Sequence, residues 1–366
     1  MFNKGFDHFE ISQRSILRNN LLILSKFLSD SPVTENCFKR ALLTAYQLET
    51  LIIYRDFTTF SSIILYSDSP ISSHPVVSEE ILAIHRLFAI ALHRTQQQVI
   101  DSLNCQQFVL RLFILLATSD LQEQSLVEII ITILYQTRDE LRPLVLSMIN
   151  QFLNGKEQTY LVISSVLRLY NTILSANGKI ITNENNIFYQ TSIIPLYSAK
   201  CSSYYAPQLT SISLYFMDYS STNIDMTVSF MINHWPYIDS SKQVAFINAL
   251  YLFFKRNYQY SIHSKRVFFV IISCIKSQNY KVSLAALRFF NDPQIIILIT
   301  EFKQHINSLF ESLQCSRNHW HYEVASEANS VVKVIMGIIG NSYDNKSNIK
   351  TQRSEIWKKI VLNIEI

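Results

Sequence analysis

The chain has 366 residues, 48% apolar and 16% charged, with 32 Lys and Arg against 28 Asp and Glu for a formal charge of +4. It holds only 5 Gly and 8 Pro, where average usage would give roughly 26 and 18 in a chain this long. That shortage excludes phosphate-cradling loops, nucleotide-binding βαβ turns and tight hairpins, all of which lean on Gly, and it leaves a nearly all-helical protein.

In chain order, helices are predicted from Ile16 to Leu28, from a Thr34 cap to Ile53, and from Glu80 to His93 with Leu82, Leu87, Ile90 and Ala91 turned inward. The stretch SDSPISSHPVVS, Ser67 to Ser78, reads as the longest loop. Further on, first helices of successive pairs begin near Ser119, Gln158, Ala206, Ser240, Asn279 and Ser316, at about the period of HEAT or armadillo repeats. Between Gln158 and Leu174, Ile163, Val166, Leu167, Tyr170 and Leu174 form one apolar stripe, and Val162, Leu169 and Ile173 a second, about 100° away. The second flank is covered by the next repeat or open as a slot for a peptide. From Ser240, which with Gln243 makes a capping box, Val244, Ile247, Leu250, Tyr251 and Phe254 recur at helical spacing. The run from Arg266 to Ile275 is apolar on nearly every face, as in a helix sandwiched between layers. Another helix follows from Asn279 through Val282, Leu284, Ala285, Leu287 and Phe290, and the chain restarts at Asp292-Pro293 with a cap and a first-turn proline. The fold class expected is all-α, a HEAT/armadillo-like α-solenoid of antiparallel helix pairs over residues 1–340, with 341–366 a polar linker and a short helix near Ile356 to Ile364.

Basic residues come only as isolated pairs, so no stripe for nucleic acid is present. Cys37, Cys105, Cys201, Cys274 and Cys315 are odd in number and widely spaced, which reads as reduced, mostly buried thiols rather than a disulfide framework. The first residues, MFNKGFDHFEIS, lack the apolar core of a signal peptide, and the densest apolar run, Val267 to Ile275, is too short to span a bilayer. Residence in the cytoplasm or nucleus, away from membranes, is the expectation. No GxSxG, GxGxxG, P-loop, HExxH or CxxC motif occurs. His319-Trp320-His321 is the one close histidine pair, but its i,i+2 spacing points the rings apart and favours packing at a helix start over a metal site. Asp139-Glu140 and Glu79-Glu80 read as first-turn charges. Neither a cofactor nor a metal is implied.

The segment NTILSANGKIITNENNIFYQTSIIPLYSAKCSSYYAPQL, Asn171 to Leu209, resembles a segment of the regulatory B-prime subunits of protein phosphatase 2A. DLQEQSLVE from Asp120, INQF from Ile149, HWPYIDSSKQVAFINAL from His234, NYKVSLAALRFFND from Asn279 and NHW from Asn318 resemble that family in the same order. The resemblance spans about residue 20 to 340. It implies a HEAT-like solenoid, itself not an enzyme, that docks on the phosphatase scaffold and catalytic subunits and recruits substrates through short linear motifs of the LxxIxE type. Position by position, Tyr135 and Arg142 match a Tyr and an Arg of the family's peptide groove, and Leu169 and Ile173 match its apolar slot. The family's basic contacts fall on Thr132, Ile133, Thr182 and Asn185 and are lost, which implies a groove retuned away from the motif's Glu. The family's acidic loop is replaced by the weakly charged Ser67 to Ser78 stretch. Two other classes stay open: a generic HEAT or armadillo scaffold with other partners, and an all-helical enzyme, which would need the clustered acidic or His pairs that the chain lacks.

Overall fold

A computed structural model describes Asn19 and residues 43–47, 79–94, 105–118, 120–154, 160–176, 181–257, 263–300 and 303–344. Every element among the described residues is helical, and the chain divides into two compact units, Met1–Phe188 and Tyr189–Ile366. Most of the first two predicted helices, the Ser67 to Ser78 loop and the terminal helix lie outside the described residues.

Unit 1 contains α1 (Glu79–Arg94), α2 (Cys105–Leu115), α3 (Leu121–Thr137), α4 (Arg142–Asn154), α5 (Tyr160–Ala176) and the short α6 (Asn183–Phe188). Helices α1, α3 and α5 lie side by side in one layer, and α2 and α4 pair in a second that packs on it. Asp120 caps α3 by accepting from the backbone N–H groups of Gln122 (2.8 Å) and Glu123 (3.1 Å), which satisfies two of the donors a helix start leaves unpaired. Arg142 opens α4 after a 3-10 turn at Asp139–Leu141.

Unit 2 opens with a π-helical turn, Tyr189–Ile193, and a 3-10 turn, Ile194–Ser198. It continues through α7 (Ser202–Tyr219), α8 (Ser221–Asn233), α9 (Ser240–Asn257), α10 (Ser264–Ile275), α11 (Tyr280–Phe290), α12 (Pro293–Thr300), α13 (Lys303–Arg317) and α14 (Tyr322–Asp344). Helices α7, α9, α11 and α14 succeed one another in one layer, α8, α10 and α13 in the other, and α12 packs among α11, α13 and α14. Within each unit this is the alternating two-layer stack of HEAT-like pairs, with first helices about forty residues apart. The core sits between the layers, where Leu250, Phe253, Phe254, Phe268, Leu287 and Phe289 are all buried. Among the described residues no single helix is long and apolar enough to cross a membrane; α11 and α12 bend by 82° at Asn291-Asp292, where the Asp292 carboxylate caps α12 (2.9 Å to the Gln294 N–H).

Several boundaries differ from the sequence expectation for local reasons. Helix α7 begins at Ser202 rather than near Ala206, and Pro207 lies inside it. The turn before the proline is held by burial of Tyr205, whose hydroxyl donates to the Leu196 carbonyl at 3.3 Å. Helix α14 begins at Tyr322, not near Ser316; Ser316 is buried near the end of α13, and its hydroxyl donates to Ile275 O and Ser312 O. The cap of α9 is Asp239, which accepts from the Lys242 N–H at 3.0 Å, so Ser240 is already inside the helix. Helix α14 runs past Gly340 to Asp344, into the stretch read as linker. Of the described cysteines, Cys274 is buried, Cys201 half-buried and Cys315 exposed, all as free thiols, so burial is less general than expected.

Candidate functional site

The residues matched to a peptide groove all lie in unit 1, around the C-terminal ends of α3 and α5. A polar network ties these two helices together. The Arg168 guanidinium on α5 donates to both carboxylate oxygens of Glu128 on α3 (2.7 to 3.3 Å), to Gln124 Oε1 (3.1 Å), and to the Ser164 and Ser165 hydroxyls. Gln124 uses its own amide N–H to cap the carbonyls of Leu116 and Thr118 at the preceding turn. Burial pushes the Glu128 carboxyl above the usual range, and Arg168 pulls the other way. On the same layer, His85 of α1 and Glu123 of α3 meet at 3.2 Å with both side chains fully buried.

Tyr135 and Arg142 are brought together. Tyr135 is buried near the end of α3, and the Arg142 guanidinium lies 5.6 Å from its ring centroid. Arg142 Nε donates to the Tyr135 carbonyl at 3.1 Å and its terminal nitrogen meets Asp139 at 2.8 Å, so much of its donor capacity is engaged within the turn. Behind it, burial raises the Tyr170 hydroxyl's pKa, with the neighbouring Tyr135 adding to the effect.

Leu169 and Ile173 are 0% and 1% exposed. Both stripes of α5 are buried, and α5 packs against α3 and α4. Of the positions where the family's basic contacts would fall, the two threonines hydrogen-bond backbone groups and none carries a charge. Thr132 donates to the Glu128 carbonyl, Ile133 is buried, and Thr182 accepts from the Asn185 N–H at the start of α6.

Unit 2 holds an open groove that sequence reasoning missed. About 1080 Å³ in volume, it is walled by Tyr204 and Leu214 of α7, Val244, Asn248 and Leu252 of α9, and Trp320 ahead of α14. The sequence carries two signals for it: Val244, on the apolar stripe of α9, is only half-buried, and Trp320 stands between the paired histidines of the NHWH stretch. Trp320 sits between two histidines that do the packing expected of them. His321 stacks on Tyr280 at 4.2 Å, and His319 Nδ1 accepts the His321 N–H at 3.0 Å. Among the described residues no cluster of three or more His, Cys, Asp or Glu is placed to hold a metal ion.

The family model described as protein phosphatase 2A regulatory B subunit (B56 family) matches residues 9–363. The chain belongs to the B56 family. Similar curated proteins include the serine/threonine-protein phosphatase 2A 56 kDa regulatory subunit delta 1 isoform of Schizosaccharomyces pombe, 26% identical over 250 residues that cover 65% of this chain and 45% of that protein. The alpha isoform of Mus musculus is 23% identical, with 70% of this chain and 56% of that protein covered. For the delta isoform of Oryctolagus cuniculus the identity is 23%, over 85% of this chain and 59% of that protein. This B56 chain thus spans about half the length of the curated relatives it matches. Those relatives are named as regulatory subunits, a non-catalytic role.

Proposed function

We propose that this B56 chain is a non-catalytic regulatory subunit that docks on the scaffold and catalytic subunits of protein phosphatase 2A and recruits their substrates, in the cytoplasm or nucleus. The observation that carries the reading is the family match over residues 9–363, which runs through both units. The two-layer stacks of unit 1 and unit 2 support it, because stacked helix pairs expose extended surfaces suited to protein partners. The metal chemistry of dephosphorylation belongs to the catalytic partner in this reading.

Substrate choice is retuned. A carboxylate-reading groove relies on charge-assisted hydrogen bonds, roughly twice as strong as neutral ones. Here Thr132, Ile133, Thr182 and Asn185 bring no charge, and Arg142 is already paired with Asp139. The apolar anchors Leu169 and Ile173 are buried, so an LxxIxE peptide reaches them only by displacing side chains above them.

The test is affinity purification of the tagged full chain from cells, with the co-eluting chains identified. Recovery of both scaffold and catalytic subunits is expected. Recovery of neither overturns the reading in favour of a scaffold with other partners.

A further inference from the structure

A second cavity of unit 2, about 380 Å³, lies between α8, α10 and α13 and is lined by Ile232, Tyr237, Lys265, Arg266, Phe269, Val270 and His305. We propose that this cavity binds the phosphorylated side chain of a peptide, with Lys265, Arg266 and His305 holding the phosphate and Phe269 and Tyr237 flanked by the peptide's apolar neighbours.

The charge is one-sided. Lys265 and Arg266 line the cavity together with His305, and among the described residues that line it there is no carboxylate. Lys265 and Arg266 stand in the first turn of α10, where the positive end of the helix makes cations unfavourable. Helix stability therefore does not account for them. The one hydrogen-bonding side chain shown against Arg266 is the neutral Asn233, at 2.9 Å, so its charge is not neutralised there. Burial and the neighbouring Lys265 hold the His305 imidazole below the usual histidine range, so near neutral pH it serves chiefly as an N–H donor.

The walls select further. Phe269 is 67% exposed and Tyr237 78% exposed, with Ile238 beside it at 99%. Three large apolar groups kept in water beside a basic hollow match a ligand that is anionic at one point and apolar next to it. A phosphomonoester carries about −1.5 to −2 charges and three acceptor oxygens at neutral pH. That suits a planar guanidinium fork and an ammonium together better than a carboxylate with one charge and two oxygens. The concave shape favours a single inserted group over a flat bilayer, which the same cations and aromatics could otherwise meet. The site lies away from Tyr135 and Arg142 in the chain and does not depend on the phosphatase reading.

The experiment uses the full chain and a fluorescein-labelled nine-residue peptide with one phosphoserine followed by Leu and Phe, read by anisotropy at low salt. The phosphorylated peptide should bind about tenfold or more tighter than its unphosphorylated counterpart, as expected of charge-assisted pairing. The exposed double substitution Lys265→Gln with Arg266→Gln should abolish that difference. Phe269→Ala should weaken both peptides alike, and Arg266→Lys, which keeps the charge but loses the fork, should retain part of the preference. Thermal melts of each variant separate lost binding from lost folding, and Arg266→Lys keeps the test decisive if the double variant melts early. Equal binding of the two peptides, no binding, or an unchanged preference in a folded double variant overturns the proposal. So does inorganic phosphate competing as well as the phosphopeptide, or binding to phosphatidylserine vesicles that needs Lys265 and Arg266 while the peptide fails to bind.

Discussion

In unit 1, adjacent helices of the first layer are joined by polar pairs, His85 to Glu123 between α1 and α3 and Arg168 to Glu128 between α3 and α5. In unit 2 the joint between α9 and α11 is aromatic, although Arg256 of α9 also pairs with Asp218 of α7 in a more exposed place. Phe289 of α11 meets Phe254 of α9 at 5.9 Å and Tyr251 at 6.2 Å, and Phe268 of α10 at 6.4 Å. The same helix-pair plan is thus held by two chemistries. Apolar stacking is nearly indifferent to direction and to proton concentration, whereas a half-buried ion pair stabilises only while its geometry and its protonation state hold. The lesson is that a repeat conserves which faces meet, while the residues that bond them are free to differ.

The comparison breaks most visibly at its aromatic joint. Phe289→Ala should cost about 3 to 5 kcal/mol in a denaturant titration, because it removes a buried ring and leaves a cavity touching three helices. Leu287→Ala, on the same helix and equally buried, should cost about 2 to 5 kcal/mol. A loss under about 0.5 kcal/mol at either position would mean that these faces do not bury as described.

At the ionic joint the effect is smaller and depends on pH. Arg168→Met removes the donors that hold the Glu128 carboxylate in a half-buried place and should cost about 1 to 3 kcal/mol. The pH dependence has a definite sign. Burial raises the Glu128 pKa in the folded state above its ordinary 4.5, so the folded state holds the proton more tightly than the unfolded chain. Its contribution is fully present below pH 4.5 and is lost as pH rises through the folded value. The stability of the parent relative to Glu128→Gln should therefore fall on going from pH 4 to pH 7. A difference that stays flat, or rises, would show that Arg168 outweighs burial.

Much of this architecture is legible in the sequence because helical periodicity, caps and the scarcity of glycine report on local physics. Asn279 caps α11 through the Lys281 N–H at 3.0 Å, and Asp292-Pro293 opens α12, both as read. What is hidden depends on neighbours. Phe269 reads as core in an apolar run, but its exposure follows from how α10 meets α8 and α13, which periodicity within one helix does not carry. Phe246 and Phe253 lie off the stripe assigned to α9 yet are buried, because the helix is covered on more than one side. Burial at the matched slot is a further case: Leu169 and Ile173 are both buried, and their spacing along α5 alone leaves open whether a neighbouring repeat or a peptide covers them.

Caps offer a sharper and smaller test in unit 2. Asp239→Ala should cost about 0.5 to 2 kcal/mol by freeing the Lys242 N–H at the start of α9. Ser240→Ala should change stability by less than about 0.5 kcal/mol, since that side chain is outside the cap and Ala suits a first helical turn. The reverse order in thermal melts would restore the capping box inferred from the sequence.

The smallest effect on folding is expected at Arg142, the one charged residue among the positions matched to the family's groove. The Arg142 and Asp139 side chains are 43% and 78% exposed, and such a pair contributes about 0 to 1 kcal/mol. Arg142→Ala should therefore leave the melting transition nearly unchanged, which makes it a clean probe of binding. Because the guanidinium is engaged by Asp139 and the Tyr135 carbonyl, a peptide carboxylate has to compete for it, and no other cation matched to the groove remains to help. Titration of an LxxIxE peptide should accordingly show weak binding that the substitution hardly alters. Micromolar binding that disappears on replacing Arg142 alone would mean that one guanidinium suffices to read the motif's Glu, and that the lost neighbours at Thr132, Ile133, Thr182 and Asn185 never set the preference.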